Sequence, residues 1–482
     1  MGSKGGSCSR LQPAPLDEWL CLCEMGTDAC DFEYCRNSPN GRYMARCNAS
    51  RVVLVLLCSM HIAAAAGAEY NIQRFGARAD GRTDATQALA AAWSAACRSP
   101  EQAATVYVPN GEFLVSHVAF SGPCVGRTTV QIDGTFVAPS GYTGGEWIVF
   151  EHLDGLTVSG GTFDGRGESL WACKAAGNGG CPDGATVRTE LFYHYSMSLI
   201  LRNNASLLID VVRGVQSVTV RNSRDVVISG VKSVNSELYH VVIDGCEGVT
   251  VQDARIVAPE SSPNTDGIHV QSSSAITITG ATIQTGDDCI SIGPGTSSLR
   301  VQHVSCGPGH GISIGSLGKE SEEKGVQNVT VSGAVFVGTE NGLRIKTWGR
   351  AARSGAYVRG VVFEHALMHD VRNPIIIDQN YCPNHGGQGC PHQSSDVKIT
   401  DVTYTDIQGT SASQVAIKFD CSASNPCSGL GLEDIKLTFD GGKPAEATCQ
   451  HADGTVSGIL MPPSCLLVFV AFLVVRLVFL AV

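Results

Sequence analysis

Charge is scarce in this chain. Only 16% of its 482 residues are Asp, Glu, Lys or Arg, and the acidic ones outnumber the basic ones 45 to 34, for a formal net charge of −11. A nucleic-acid binder concentrates positive charge, so that class is set aside. If the substrate is itself acidic, a few placed cations must hold it rather than bulk attraction. Aromatic residues are also few, at 6%. No helical run long enough for a βαβ crossover separates the apolar segments, which tells against an alternating α/β fold. Paired Cys-x-x-Cys modules are missing despite 20 cysteines. That count without that spacing argues against structural zinc and for disulfides in an oxidising compartment.

What is plentiful is Gly, at 55 residues, together with Val, Ile, Thr and Ser. This mixture favours strands and turns. Short β-branched runs recur: VTV at 218–220, VVI at 226–228, VTV at 249–251, ITIT at 276–279, VTV at 329–331, VVF at 361–363 and VKIT at 397–400. Successive repeats lie about 22 to 32 residues apart, within the range of a solenoid. Hairpin turns and Trp-Asp blade signatures, which a sandwich or propeller would carry, are not evident. The expected fold is therefore all-β, a parallel β-helix whose coils bury their apolar faces on one another. Ahead of the repeats, Ala88, Leu89, Ala92, Trp93 and Ala96 recur at helical spacing after the candidate N-caps Thr83 and Asp84. This short helix is expected to cap the open end of the stack.

Both ends differ from the body. Arg46 and Arg51, the apolar run from Val52 to Leu57 and the small residues Ala63 to Ala68 form the three zones of a secretory signal peptide. It is assigned to 44–68, with 1–43 a Cys-rich extension ahead of a true start at Met44. The tail 466–482 is apolar and interrupted by Arg476. It is short for a span, carries a costly charge, and reads as a mis-joined exon; it leaves membrane association open. The body is 69–465, and 187–216 stands out within it as an insert.

Four clusters carry the candidate chemistry: SPNTDGIH with Asn264, Thr265, Asp266 and His269; TGDDCISIG with Asp287 and Asp288; GPGHGISIGSLG with His310; and NGLRIKTWG with Arg344 and Lys346. They follow one another by about one coil each, and residues one coil apart stack roughly 4.8 Å from each other. They should therefore converge on one stripe. Adjacent aspartates beside an apolar strand repel, and repulsion raises one pKa, giving an acid able to protonate a leaving oxygen. A neighbouring carboxylate that stays ionised can activate water, and glycoside hydrolysis needs that pairing. Arg344 and Lys346, at i and i+2, point the same way and would grip a uronate carboxylate. The glycines beside His310 leave it accessible. Singly, each cluster has a plainer reading: a turn, a structural histidine, a solvated face, or a Ca²⁺ site built from Asp266, Asp287 and Asp288.

Together, NTDGIH, GDDCISIG, GHGISIGSLG and RIKTW resemble the signature motifs of plant polygalacturonases, glycoside hydrolase family 28. FGARADGRTDATQALAAAWSAAC, VNSELYH and DQNYCPN, with Tyr381, resemble the family too, and the likeness covers about Tyr70 to Cys465 apart from the insert. It implies a right-handed β-helix that hydrolyses α-1,4 bonds of galacturonic acid chains in pectin, with inversion and with no metal or cofactor. Asp287 is implied as general acid, Asp266 and Asp288 as the carboxylates that activate water, and His310 as the residue that tunes the acid. Asn264, Arg344, Lys346 and Tyr381 are implied to bind substrate. A pectate lyase, using Ca²⁺ and an Arg base, and an inactive pectin-binding protein on the same scaffold are the competing readings. The resemblance further implies the disulfides Cys97–Cys124, Cys173–Cys181, Cys289–Cys306, Cys382–Cys390, Cys421–Cys427 and Cys449–Cys465, with Cys246 left as a core thiol. A secreted, cell-wall monomer is expected, with glycosylation sequons at Asn204 and Asn328.

Overall fold

Inward-facing Val and Ile at every second position let each strand bury one side against the coil above and below. The computed structural model describes residues 67–140, 146–176, 216–351, 353, 355–383, 394–439 and 441–466. All of these belong to the unit Gly67–Val482. Strands dominate, and the coils stack into a right-handed parallel β-helix. Register partners follow the repeat: Val226 pairs Val249, Val251 pairs Ile278, Ile278 pairs Val301, Val301 pairs Val331, and Val331 pairs Phe363. The step from Phe363 to Tyr404 is longer than the expected range, and the ladder keeps its parallel pairing across it.

Two sheets run the length of the stack. Among the described residues the larger has 21 strands and the smaller 11. The smaller sheet takes one strand from each coil in chain order, numbered here β1 (Val118–Ser121), β2 (Glu146–Glu151), β3 (Gln216–Arg221), β4 (Val241–Asp244), β5 (Ile268–Gln271), β6 (Ile290–Ile292), β7 (Ile312–Leu317), β8 (Asn341–Trp348), β9 (Asn373–Tyr381), β10 (Val415–Asp420) and β11 (Glu446–Gln450). The larger sheet bends along a corner where stacked residues all have positive φ: Gly230, Asp253, Gly280, His303 and Gly333, at 52–68°. Gly pays no Cβ penalty there, and Asp tolerates the left-handed region better than most residues.

Helix α1 (Thr86–Cys97) buries Ala88, Leu89, Ala92, Trp93 and Ala96, the face expected. Its N-cap is Ala85, one residue beyond the expected Asp84, and it makes no side-chain cap bond. Asp84 Oδ1 instead accepts from Thr86 N at 2.8 Å, so the aspartate satisfies the first turn from one position further back. A second helix, α2, spans Glu168–Ala175.

Four of the implied disulfides are present, Cys97–Cys124, Cys289–Cys306, Cys421–Cys427 and Cys449–Cys465. Cys173 and Cys382 are disulfide-bonded, while Cys181 and Cys390 lie outside the described residues, as do 1–43, 177–215, Asn204 and 467–482. Cys246 is a buried free thiol, and burial pushes its pKa up to about 11. Among the described residues no helix is long and apolar enough to cross a membrane.

Candidate active site

The loops before β5, β6 and β7 lie directly on one another through backbone hydrogen bonds. Gly267 N donates to Asp288 O at 2.9 Å, Cys289 N to Gly311 O at 2.8 Å, and His310 N to Asp287 O at 2.7 Å. This stacking brings Asp266, the Asp287/Asp288 couple and His310 to one place, and the Cys289–Cys306 bridge ties the middle loop to the next coil. The glycine after His310 has a backbone reason. Gly311 has φ of +88°, and a Cβ there would meet the carbonyl oxygen of Asn341 at 2.1 Å. Only Gly lets the two coils approach so closely.

The outward positions of the next strands complete the cluster. His269, Ser291, Ser313 and Arg344 are successive register partners across β5 to β8. Asp288 is 1% exposed and fully engaged. Its Oδ1 accepts from Ser313 Oγ at 2.7 Å and from Arg344 Nη2 at 2.7 Å, and its Oδ2 accepts from Lys346 Nζ at 2.8 Å. Arg344 Nε also donates to Ser313 Oγ at 2.8 Å. Burial pushes the Asp288 carboxyl up, but Lys346 and Arg344 outweigh it and hold it well below the usual carboxylate range. Burial likewise works against the charge on both cations, and Asp288 keeps each protonated. Lys346 Nζ also sits 5.3 Å over the ring of Tyr381, within cation–π range.

Asp266 is in the opposite situation. It is buried, and desolvation first, then the charges of Asp287 and Asp288, push its carboxyl well above the usual range. Asp287 is more open. His310 Nδ1 lies 3.1 Å from its Oδ1, and Asn264 Nδ2 donates to its Oδ2 at 3.4 Å. His310 Nε2 lies 3.3 Å from Glu340 Oε2. Burial lowers the proton affinity of His310, but the bond to Asp287 and the nearby Asp287, Asp288 and Glu340 charges raise it overall.

The eight residues implied to act on substrate, Asn264, Asp266, Asp287, Asp288, His310, Arg344, Lys346 and Tyr381, therefore meet in one cluster. Arg344 and Lys346, expected to grip substrate, spend donors on Asp288. Asp287, Asp288 and His310 could hold a metal on ligand spacing, yet two cations already compensate Asp288, which weakens any pull on a third. Sequence reasoning missed Ser291, Ser313, Glu340 and Tyr239. The serines had a signal: both CISIG and GISIG place Ser between two inward Ile, a polar residue on the same outward row. Tyr239 stacks on His269 at 4.9 Å and 20°, a contact between coils with no local signature.

Comparison with known proteins identifies the family and the fold. The model of the family described as Glycosyl hydrolases family 28 matches residues 97–195 and 210–458; the unmatched 196–209 falls within the stretch set apart as an insert. A Polygalacturonase of Prunus persica is 48% identical over 418 residues, 86% of this chain and 97% of that protein. An Exopolygalacturonase of Platanus acerifolia is 38% identical over 402 residues, 82% of this chain and 97% of that one. Among solved structures, an endo-xylogalacturonan hydrolase from Aspergillus tubingensis shares the fold at a TM-score of 0.64 and 22% identity, covering 81% of this chain and 100% of that one.

Proposed function

This chain belongs to glycosyl hydrolase family 28 and is a glycoside hydrolase, and from that premise we propose that it hydrolyses the α-1,4 bonds between galacturonic acid residues of pectin, with inversion. The printed names of its relatives support the substrate class. The observation that carries the chemistry is the unequal treatment of three neighbouring carboxyls. Asp288 is held ionised by two cations, Asp266 favours its proton, and Asp287 stands at the more open side between Asn264 and His310. Such a cluster carries a proton that can be delivered and a carboxylate that can receive one.

In this reading Asp287 gives its proton to the leaving glycosidic oxygen. Asp266 and Asp288 orient the attacking water on the other side of the sugar, and one of them takes its proton. His310, linked to both Asp287 and Glu340, fixes the direction of Asp287 and tunes its proton. Arg344 and Lys346 keep Asp288 charged, and their remaining N–H groups face the substrate's carboxylate beside Tyr381 and Asn264. An Arg already bonded to Asp288 and Ser313 is unsuited to the base role that an eliminating lyase needs. The zones of 44–68 and the exposed sequon at Asn328 support export to the cell wall, with the chain acting as a monomer.

The test is incubation of the chain with polygalacturonic acid. New reducing ends, with the β-anomer appearing first by proton NMR and no unsaturated product, are expected. Unsaturated uronides would replace this reading with elimination, and binding without any product would replace it with a pectin-binding role.

A further inference from the structure

A galacturonic acid chain carries a carboxyl group on every sugar, and Arg344 and Lys346 answer to one of them. A line of rings and cations leads away from that pair. Lys346 Nζ lies 5.3 Å over the Tyr381 ring. Tyr381 meets Trp348 edge-on, with centroids 5.9 Å apart and planes at 80°. Lys319 Nζ in turn lies 5.7 Å over the Trp348 ring. The register builds this line. Trp348 ends β8 two residues after Lys346, and its cross-strand partner on β9 is Tyr381. Lys319 arrives from the loop that follows β7.

Both members of the outer contact are held in place. Trp348 Nε1 donates to Ser316 Oγ at 3.1 Å, which ties the indole to the preceding coil. Glu323 Oε2 accepts from the backbone N–H groups of Gly318, Lys319 and Glu320 at 2.7, 2.9 and 3.3 Å. That carboxylate closes the loop on its own backbone and fixes where Lys319 leaves it. A loop ordered in advance lowers the entropy cost of binding. Lys319 and Trp348 are both half-buried, so each keeps surface for a ligand. Two other cations of the smaller sheet are arranged differently. Arg221 lies between Glu146 at 2.8 Å and Glu151 at 3.0 Å, and Lys418 lies 3.5 Å from Asp420. A carboxylate partner cancels a cation's charge, whereas a ring face attracts an ammonium and leaves its charge in place.

We propose that Lys319 and Trp348 form a second uronate subsite, which holds a galacturonic acid residue further along the chain than the one at Arg344 and Lys346. Lys319 gives its carboxylate a charge-assisted hydrogen bond. The open part of the indole takes the C–H face of the same sugar. Neither group meets the bond that breaks, so the subsite binds substrate and transition state alike. Its loss weakens KM and spares kcat. The proposal deepens the hydrolase reading and rests on it.

The experiment measures kcat and KM on polygalacturonic acid, at low and high NaCl, for the full chain and for Lys319→Gln, Lys319→Arg and Trp348→Leu. Melting temperatures are taken alongside. At low salt Lys319→Gln is expected to raise KM about tenfold, the worth of one charged hydrogen bond. Its kcat should stay within about twofold of the parent. The gap in KM should narrow at high salt, because screening weakens the parent's contact. Lys319→Arg keeps the charge and should restore most of the affinity, and Trp348→Leu should raise KM with kcat spared. A folded Lys319→Gln with the parent's KM overturns the subsite. So does a rise in KM that Lys319→Arg leaves uncorrected, or one that salt does not touch. If Trp348→Leu does not fold, the Lys319 variants decide. A parent chain that makes no product from polygalacturonic acid would instead overturn the hydrolase reading itself.

Discussion

The two sheets come from the same coils and share the same alternation, yet they treat their outward side chains differently. On the larger sheet the stacked row Thr250, Thr277, Arg300 and Thr330 faces solvent or is half-buried. On the smaller sheet the corresponding row carries Ser291 at 3%, Ser313 at 0% and Arg344 at 9% exposure. Their ion pairs differ in the same way. Arg224 and Glu247 are cross-strand partners 3.5 Å apart and mostly exposed, while Arg344 and Asp288 are 2.7 Å apart and nearly sealed. Burying polar groups costs free energy unless they satisfy one another. A solenoid needs no such row for stability, so the sheet that bears it is the one with another task.

The comparison breaks most sharply at Asp287, the proposed acid. Asp287→Asn should lower kcat by at least about 10²–10⁴-fold on polygalacturonic acid with an unchanged melting temperature, while Arg300→Ala on the larger sheet leaves both alone. Substantial activity in Asp287→Asn would reassign the acid. Next comes the buried pair. Asp288→Asn strands Arg344 and Lys346 without their counter-charge and should cost about 3–5 kcal/mol in denaturant unfolding. Glu247→Gln, in an exposed pair, should leave the midpoint unmoved. Because the folded pKa of Asp288 is depressed, its contribution is present above the ordinary carboxylate range and fades as pH falls through the lowered value. The Asp288→Asn variant should accordingly lose less stability on acidification than the parent.

The interior offers a control, since both sheets turn the same kind of residue inward. Ile278→Ala on the larger sheet and Ile292→Ala on the smaller one, both fully buried, should each cost about 2–5 kcal/mol. A large inequality between them would mean the sheets differ inside as well as outside. The smallest effect is at His310. Its raised pKa means its extra stability is present below the ordinary histidine value and is lost as pH rises through the raised one. His310→Gln should flatten the melting temperature against pH above roughly 6.5; an unchanged slope would show that Asp287 and Glu340 do not hold the imidazolium.

Much of the fold could be read from the chain because it is local and periodic. VTV, VVI and ITIT each fall on a strand, since period-two apolar alternation is a property of neighbouring residues. The face of α1 was equally legible, and its cap was misplaced by one residue because a carboxylate can reach a first-turn N–H from either position. The site residues were legible as types at coil spacing. Their partners were not, since Glu340 on His310 and Tyr239 on His269 lie on different coils and nothing in their local sequence marks the contact.

The sequence by itself determined that strands would form, that they would repeat as coils, and that Asp266, Asp287, Asp288, His310, Arg344 and Lys346 would return once per turn. Only the tertiary structure decided how charge is shared among them. Two cations close on Asp288 and leave Asp266 to burial and like-charge repulsion, and that division depends on distances and dielectric set by stacked coils. No order of residues along one strand encodes it.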